Sequence, residues 1–110
     1  MHSYAGLVLY AYGNKQGSPP APYGPKLKAL SDSVAKAAGS AYTSETSAAL
    51  YVAYGCFDDA IFQELNKPVL TIEMAGSSFV PAASTIRSAG LNMYKGFLAF
   101  GAGIPTYWNG

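Results

Sequence analysis

Apolar positions along this chain switch between short runs and helical spacing, and the switches mark its elements. Residues 4–10 hold Leu7, Val8 and Leu9 in an apolar run before Gly13, which predicts a buried strand. Residues 11–25 contain Gly13, Gly17, Pro19, Pro20, Pro22, Gly24 and Pro25, too many breakers for either regular element, so a loop is expected there. Loops at the C-terminal end of a strand are where sites are commonly built. From Pro25 onward Leu27, Leu30, Val34 and Ala37/Ala38 recur every three or four residues, while Lys26, Lys28, Asp32 and Lys36 mostly fall on the other side. That spacing predicts an amphipathic helix opened by Pro25 and stopped at Gly39.

Further along, residues 42–47 read as a polar turn and residues 49–54 as a short extended piece. Residues 57–65 read as one or two helical turns begun by Asp58 and Asp59, whose charge suits the positive end of a helix. Pro68 precedes Val69-Leu70-Thr71-Ile72-Glu73-Met74, whose β-branched content predicts a second buried strand, broken by Gly76-Ser77-Ser78. A last helix is expected over residues 84–101 with Ile86, Met93, Tyr94, Phe97 and Leu98 facing inward, weakened by Gly90 and Gly96. Strands alternating with helices give an α/β fold. No internal repeat or low-complexity tract interrupts it.

The 110 residues suffice for one domain or part of one, with a small core. Half are apolar, only 12% are charged, and nine tyrosines and five phenylalanines are many for this length. So few charges leave apolar surface to meet a partner, either a second copy or the rest of a larger domain. The net charge of +1 and the scattered basic residues exclude the electrostatic footprint of a nucleic-acid binder. No apolar stretch approaches the ~18 residues of a membrane span, and neither a basic leader nor a small-residue cleavage site stands at the N-terminus. Cys56 is the only cysteine, so no internal disulfide and no cysteine metal cluster can form.

His2, the only histidine, heads the first strand, and Glu73 lies near the end of the second. A neutral imidazole is a zinc ligand and a carboxylate beside the metal is a general base, so the two are candidate parts of a hydrolytic metal site. A lone histidine is more often structural. A carboxylate ending an apolar strand is rarer, because burying it unpaired is costly. Asp58 and Asp59 read as a helix start before they read as catalysts, and the tyrosines read as packing groups, Tyr4 excepted because it adjoins His2.

Five segments bring in a resemblance. His2-Ser3-Tyr4 with Leu7-Val8-Leu9-Tyr10-Ala11-Tyr12-Gly13 resembles the "HSY...(L)LYPYG" segment of zinc metallocarboxypeptidases of the carboxypeptidase A type. Leu50-Tyr51-Val52-Ala53-Tyr54-Gly55 is similar to the family's "(I/L)Y.(A/T)SG", and Asp58-Asp59-Ala60-Ile61-Phe62 to its "DDWAY". Leu70-Thr71-Ile72-Glu73-Met74 resembles "(F)T(I/F)EL", and residues 79–86 resemble "F..PAS.I".

The resemblance implies a partial α/β/α sandwich of the zinc-exopeptidase type, with residues 1–110 as the C-terminal portion of the catalytic domain. It implies His2 as a ligand to one zinc ion, Glu73 as the catalytic base, Tyr4 and Phe62 as residues of the substrate cleft, and a cis bond between Ser3 and Tyr4. The implied substrates are peptide and protein C-termini, and the implied setting is extracellular. The family's "HxxE" ligands and its carboxylate-binding arginines lie upstream of the matched segments, and Arg87, the only arginine, is expected on the surface. Phe62 stands where the family has a mobile tyrosine, Ala11 where it usually has proline, and Ala75-Gly76-Ser77-Ser78 where it has "RDTG". A second reading is therefore a non-catalytic homologue that keeps a binding role, with pairing to a separate upstream half or self-association as its partners.

Overall fold

The computed structural model describes residues 1–109. Its strands are β1 (His2–Ser3), β2 (Leu7–Tyr10), β3 (Thr43–Thr46) and β4 (Thr71–Met74), and its helices are α1 (Tyr23–Ala38), α2 (Ser47–Leu50), α3 (Phe57–Leu65) and α4 (Ile86–Asn109). A 3-10 turn over Ala83–Thr85 leads into α4. The four strands form one mixed sheet in the order β1-β4-β2-β3. β1 runs parallel to β4, β2 parallel to β3, and β2 antiparallel to β4. This is the α/β class expected from the sequence.

Alternation along the strands divides the sheet's two faces. Val8 and Ile72 point to one face and bury against Val34, Ala35 and Ala38 of α1 and Met93 of α4. Tyr10 on the same side joins Ala11, Leu27, Phe62 and Tyr107 in a second cluster. Leu9, Thr71 and Glu73 point to the opposite face, where they line a cleft. One face therefore holds the core and the other holds the site.

Helix α1 starts at Tyr23, two residues before the predicted Pro25, because Tyr23 and Gly24 N–H both reach the carbonyl of Pro20. It stops at Gly39 as expected, where φ is 124° and the N–H closes on the Ala35 carbonyl. Ser31 is buried on its inner face, donating to the Val8 carbonyl at 3.0 Å and accepting from Ser44 at 2.7 Å. That pair ties α1 to both β2 and β3.

Two local expectations are corrected. Residues 43–46 are an edge strand rather than a turn, since pairing with β2 over the whole of Leu7–Tyr10 supplies backbone partners that outweigh the polar side chains. Residues 47–50 form a helical turn and only the stretch after Leu50 is irregular, so no extended piece spans 49–54.

The last helix runs further than predicted and faces differently. It continues to Asn109, through Pro105, and its buried positions are Met93, Gly96 and Tyr107. Ile86, Tyr94, Phe97 and Leu98, expected inside, are each at least half exposed. Close approach of α1 explains the rotation. A side chain at Gly96 would meet Val34 Cγ1 at 3.5 Å and Ala38 Cβ at 3.7 Å, and one at Gly103 would press into Leu30. The small residues form the seam, and the large ones are turned out.

Candidate functional site

The register of two short strands brings the sequence's two site candidates together. His2 of β1 stands directly across from Glu73 of β4, and because parallel neighbours project the same way, both side chains face the same side of the sheet. Ala5 N–H donates to the Met74 carbonyl at 3.1 Å, and the Tyr42 hydroxyl accepts from Ala75 N–H at 3.0 Å, so both strands are held where they leave the sheet. Gly6 makes the turn between β1 and β2 at a φ of 67°, where a side chain would run into the Ala41 carbonyl.

His2 and Glu73 line one cleft of about 270 Å³. His2 is exposed and Glu73 half-buried. Thr71 and Leu9 form part of its floor, and Tyr51 and Phe57, both about 70% exposed, form apolar walls. Such a cleft suits an extended apolar or aromatic chain presented to one imidazole and one carboxylate.

A buried acidic clasp builds the far side of the cleft. The Asp59 carboxylate accepts from the N–H groups of Gly13 at 2.9 Å and Asn14 at 2.7 Å. Ser47 Oγ donates to Asp58 at 2.6 Å, and Asp58 also accepts from Asp59 N–H at 3.0 Å. Three segments distant in sequence, the β2 loop, the start of α2 and the start of α3, are thereby fixed to one another. Gly13 fits because a Cβ there would crowd Ser47 and Asp59 at 3.2 and 3.3 Å. Cys56 lies beside the clasp, and burial, followed by the charges of Asp58 and Asp59, pushes its thiol pKa up. The thiolate is thus disfavoured at neutral pH.

Sequence reasoning placed four residues at the site, and the structure treats them differently. His2 and Glu73 share the cleft. Tyr4 lies next to it in a separate groove of about 530 Å³, its ring edge-on to Phe79 at 4.8 Å, and the Ser3–Tyr4 bond is cis as the resemblance implied. Phe62 is corrected: it is 4% exposed and sits in the core beside Tyr12 and Tyr23, because it falls on the inward side of α3. The aromatic that α3 offers to the cleft is Phe57, one turn earlier on the outward side. Ser47 and the Asp58–Asp59 clasp also went unrecognised as parts of this region. Arg87 is exposed, as expected.

The donors fall short of a complete metal site. Protein zinc sites take three or four side-chain ligands, and among the described residues no three of His, Cys, Asp and Glu come together to hold an ion. His2 supplies one imidazole with Glu73 across from it, and a zinc ion would need further donors from outside these residues. Among the described residues no helix is long and apolar enough to cross a membrane.

A family model described as zinc carboxypeptidase matches residues 1–96 of the chain. No curated protein matches the chain.

Proposed function

The chain belongs to the zinc carboxypeptidase family, and from that premise we propose that it carries the C-terminal portion of a metallocarboxypeptidase catalytic domain, acting on the C-terminal ends of peptides. The observation that carries this reading is the His2↔Glu73 pairing at one cleft. In a complete site His2 would hold a zinc ion together with donors from outside these residues, and the metal would supply acidification of water and polarisation of a carbonyl. Glu73 is the proton carrier, taking a proton from the attacking water and giving it to the leaving amine. Its half-buried place on a paired strand fixes the carboxylate without removing it from the cleft. Tyr4 and Phe79 extend the substrate surface, and Phe57 and Tyr51 take the apolar part of the peptide. Secretion belongs to this reading through the family resemblance.

The test is a form of the protein carrying the remaining metal donors, either a longer natural product or a fusion to the upstream portion of another family member. Glu73→Gln in that form lowers peptide hydrolysis by about 10²- to 10⁴-fold, the usual contribution of a positioned general base, with metal content unchanged. A Glu73→Gln variant that keeps full activity removes Glu73 from the mechanism.

One observation favours a second reading for the chain alone. With no third donor beside His2 and Glu73 among the described residues, the isolated chain is a binding module of carboxypeptidase descent, holding peptide ends without cleaving them. Chelator-sensitive release of C-terminal residues by the 110-residue product contradicts that reading.

A further inference from the structure

Glu73 is the second-last residue of β4, so the place of its carboxylate depends on how that strand leaves the sheet. The registers of β4 end at Met74, and residues 75–82 belong to no helix or strand. Ala75 N–H is therefore the first without a ladder partner. The hydroxyl of Tyr42 accepts from it at 3.0 Å, across thirty-three residues of sequence.

Tyr42 reaches that point from behind the sheet. Its ring is 7% exposed and packs with Val8, Ala38, Ile72 and Met93 on the core face, while Glu73 points to the cleft on the other. Its backbone is held as well, with Tyr42 N–H donating to the Gly39 carbonyl at 3.1 Å and Thr43 N–H to the Gly6 carbonyl at 3.0 Å. Gly6 clears the way, because a side chain there would run into the Ala41 carbonyl and stand 3.6 Å from Ala75 Cβ. The apolar cluster asks only for a ring, which phenylalanine would supply. A buried tyrosine hydroxyl needs a partner, and here that partner is Ala75.

We propose that Tyr42 is a positioning residue for Glu73, its hydroxyl fixing the end of β4 so that the carboxylate stays opposite His2. This rests on the reading of Glu73 as the base. The other clamp at this end, Ala5 N–H on the Met74 carbonyl at 3.1 Å, leads back to β1. That strand has two residues, both exposed, and lends little rigidity. Tyr42 is the clamp rooted in the core. Ala75 itself is exposed, so water replaces the hydroxyl once it is removed, and the fold loses little. Order at Glu73 and stability of the fold are thus separable, and displacing a reacting group by about 1 Å costs up to about 100-fold in rate.

Tyr42→Phe removes the oxygen and keeps the ring. In the 110-residue chain, amide relaxation by nuclear magnetic resonance shows lower backbone order at Glu73, Met74 and Ala75 and unchanged order at Val8 and Val34. Ala75 N–H exchanges about tenfold faster, the worth of one hydrogen bond. The matched control Tyr107→Phe, which removes a hydroxyl bond of 3.2 Å to the Asn66 carbonyl, leaves Glu73, Met74 and Ala75 unmoved. Unchanged order at Glu73 in Tyr42→Phe, or a loss spread equally over Val8 and Val34, overturns the proposal. In a form carrying the remaining metal donors, Tyr42→Phe lowers kcat for a short blocked peptide by about 10- to 100-fold, with KM and zinc content unchanged. A change confined to KM makes Tyr42 a contact of the groove it lines beside Tyr4 and overturns the positioning role. Full activity of Tyr42→Phe beside an inactive Glu73→Gln does the same and leaves Glu73 as the base, whereas full activity of both removes the base and the inference with it.

Discussion

At the scale of single residues, the Asp58–Asp59 pair illustrates how charge is handled in a chain with little of it. Both carboxylates are buried, at 2 and 5% exposure, and each is matched to donors from other segments, which is the condition for burying a charge at tolerable cost. Asp59 alone holds two backbone N–H groups of the β2 loop. Asp59→Ala therefore leaves both donors without their partner and destabilises the fold by about 2–4 kcal/mol, read as a fall in the urea midpoint with unchanged slope. Asp59→Asn keeps one acceptor oxygen and loses less. The sequence showed the pair and the helix it opens, but the partners of Asp59 lie more than forty residues away and that of Asp58 eleven, and local pattern carries no information on them. His2 and Glu73 were legible as residue types, and their pairing became visible only through strand register. Phe62 misled because its place in a motif says nothing about which side of a nine-residue helix it takes.

At the scale of elements, α1, α3 and the two inner strands follow from periodicity and breakers. β3 did not, because an edge strand with one hydrogen-bonded neighbour is specified by that neighbour and not by its own composition. The α4 interior failed for a related reason. Helix propensity counts Gly96 as a defect, whereas packing makes it part of the seam with α1, facing Val34 and Ala38. Gly96→Leu has no room between Val34 and Ala38 and pushes the two helices apart, at a cost of about 1–3 kcal/mol typical of overpacking. Thermal unfolding measures it, and a variant as stable as the parent shows that the seam is loose. Gly90, also in α4, meets nothing within 4 Å, so Gly90→Ala is neutral or slightly stabilising by the same assay.

At the scale of the whole molecule, one mixed sheet separates two surfaces with different chemistry. Packing against α1 and α4 supplies the core on one face, and the other face carries an imidazole and a carboxylate at the mouth of a cleft with apolar walls. The fold class was readable from the order of elements, and the apolar excess was readable from composition, but its spread over α4, the cleft walls at Tyr51 and Phe57, and Phe79 and Val80 was not. One imidazole with one carboxylate across from it is short of the three or four ligands of a stable zinc site, so the expectation is weak zinc binding in which His2 and Glu73 respond together.

Because His2 is the only histidine, its ring resonance is unambiguous, and zinc titration followed by nuclear magnetic resonance reads both residues at once. The expected result is a single affinity weaker than micromolar, shifting the His2 ring and the Glu73 side chain together and abolished by His2→Ala. A zinc response at His2 that leaves Glu73 unmoved, or none at either residue, contradicts the shared site.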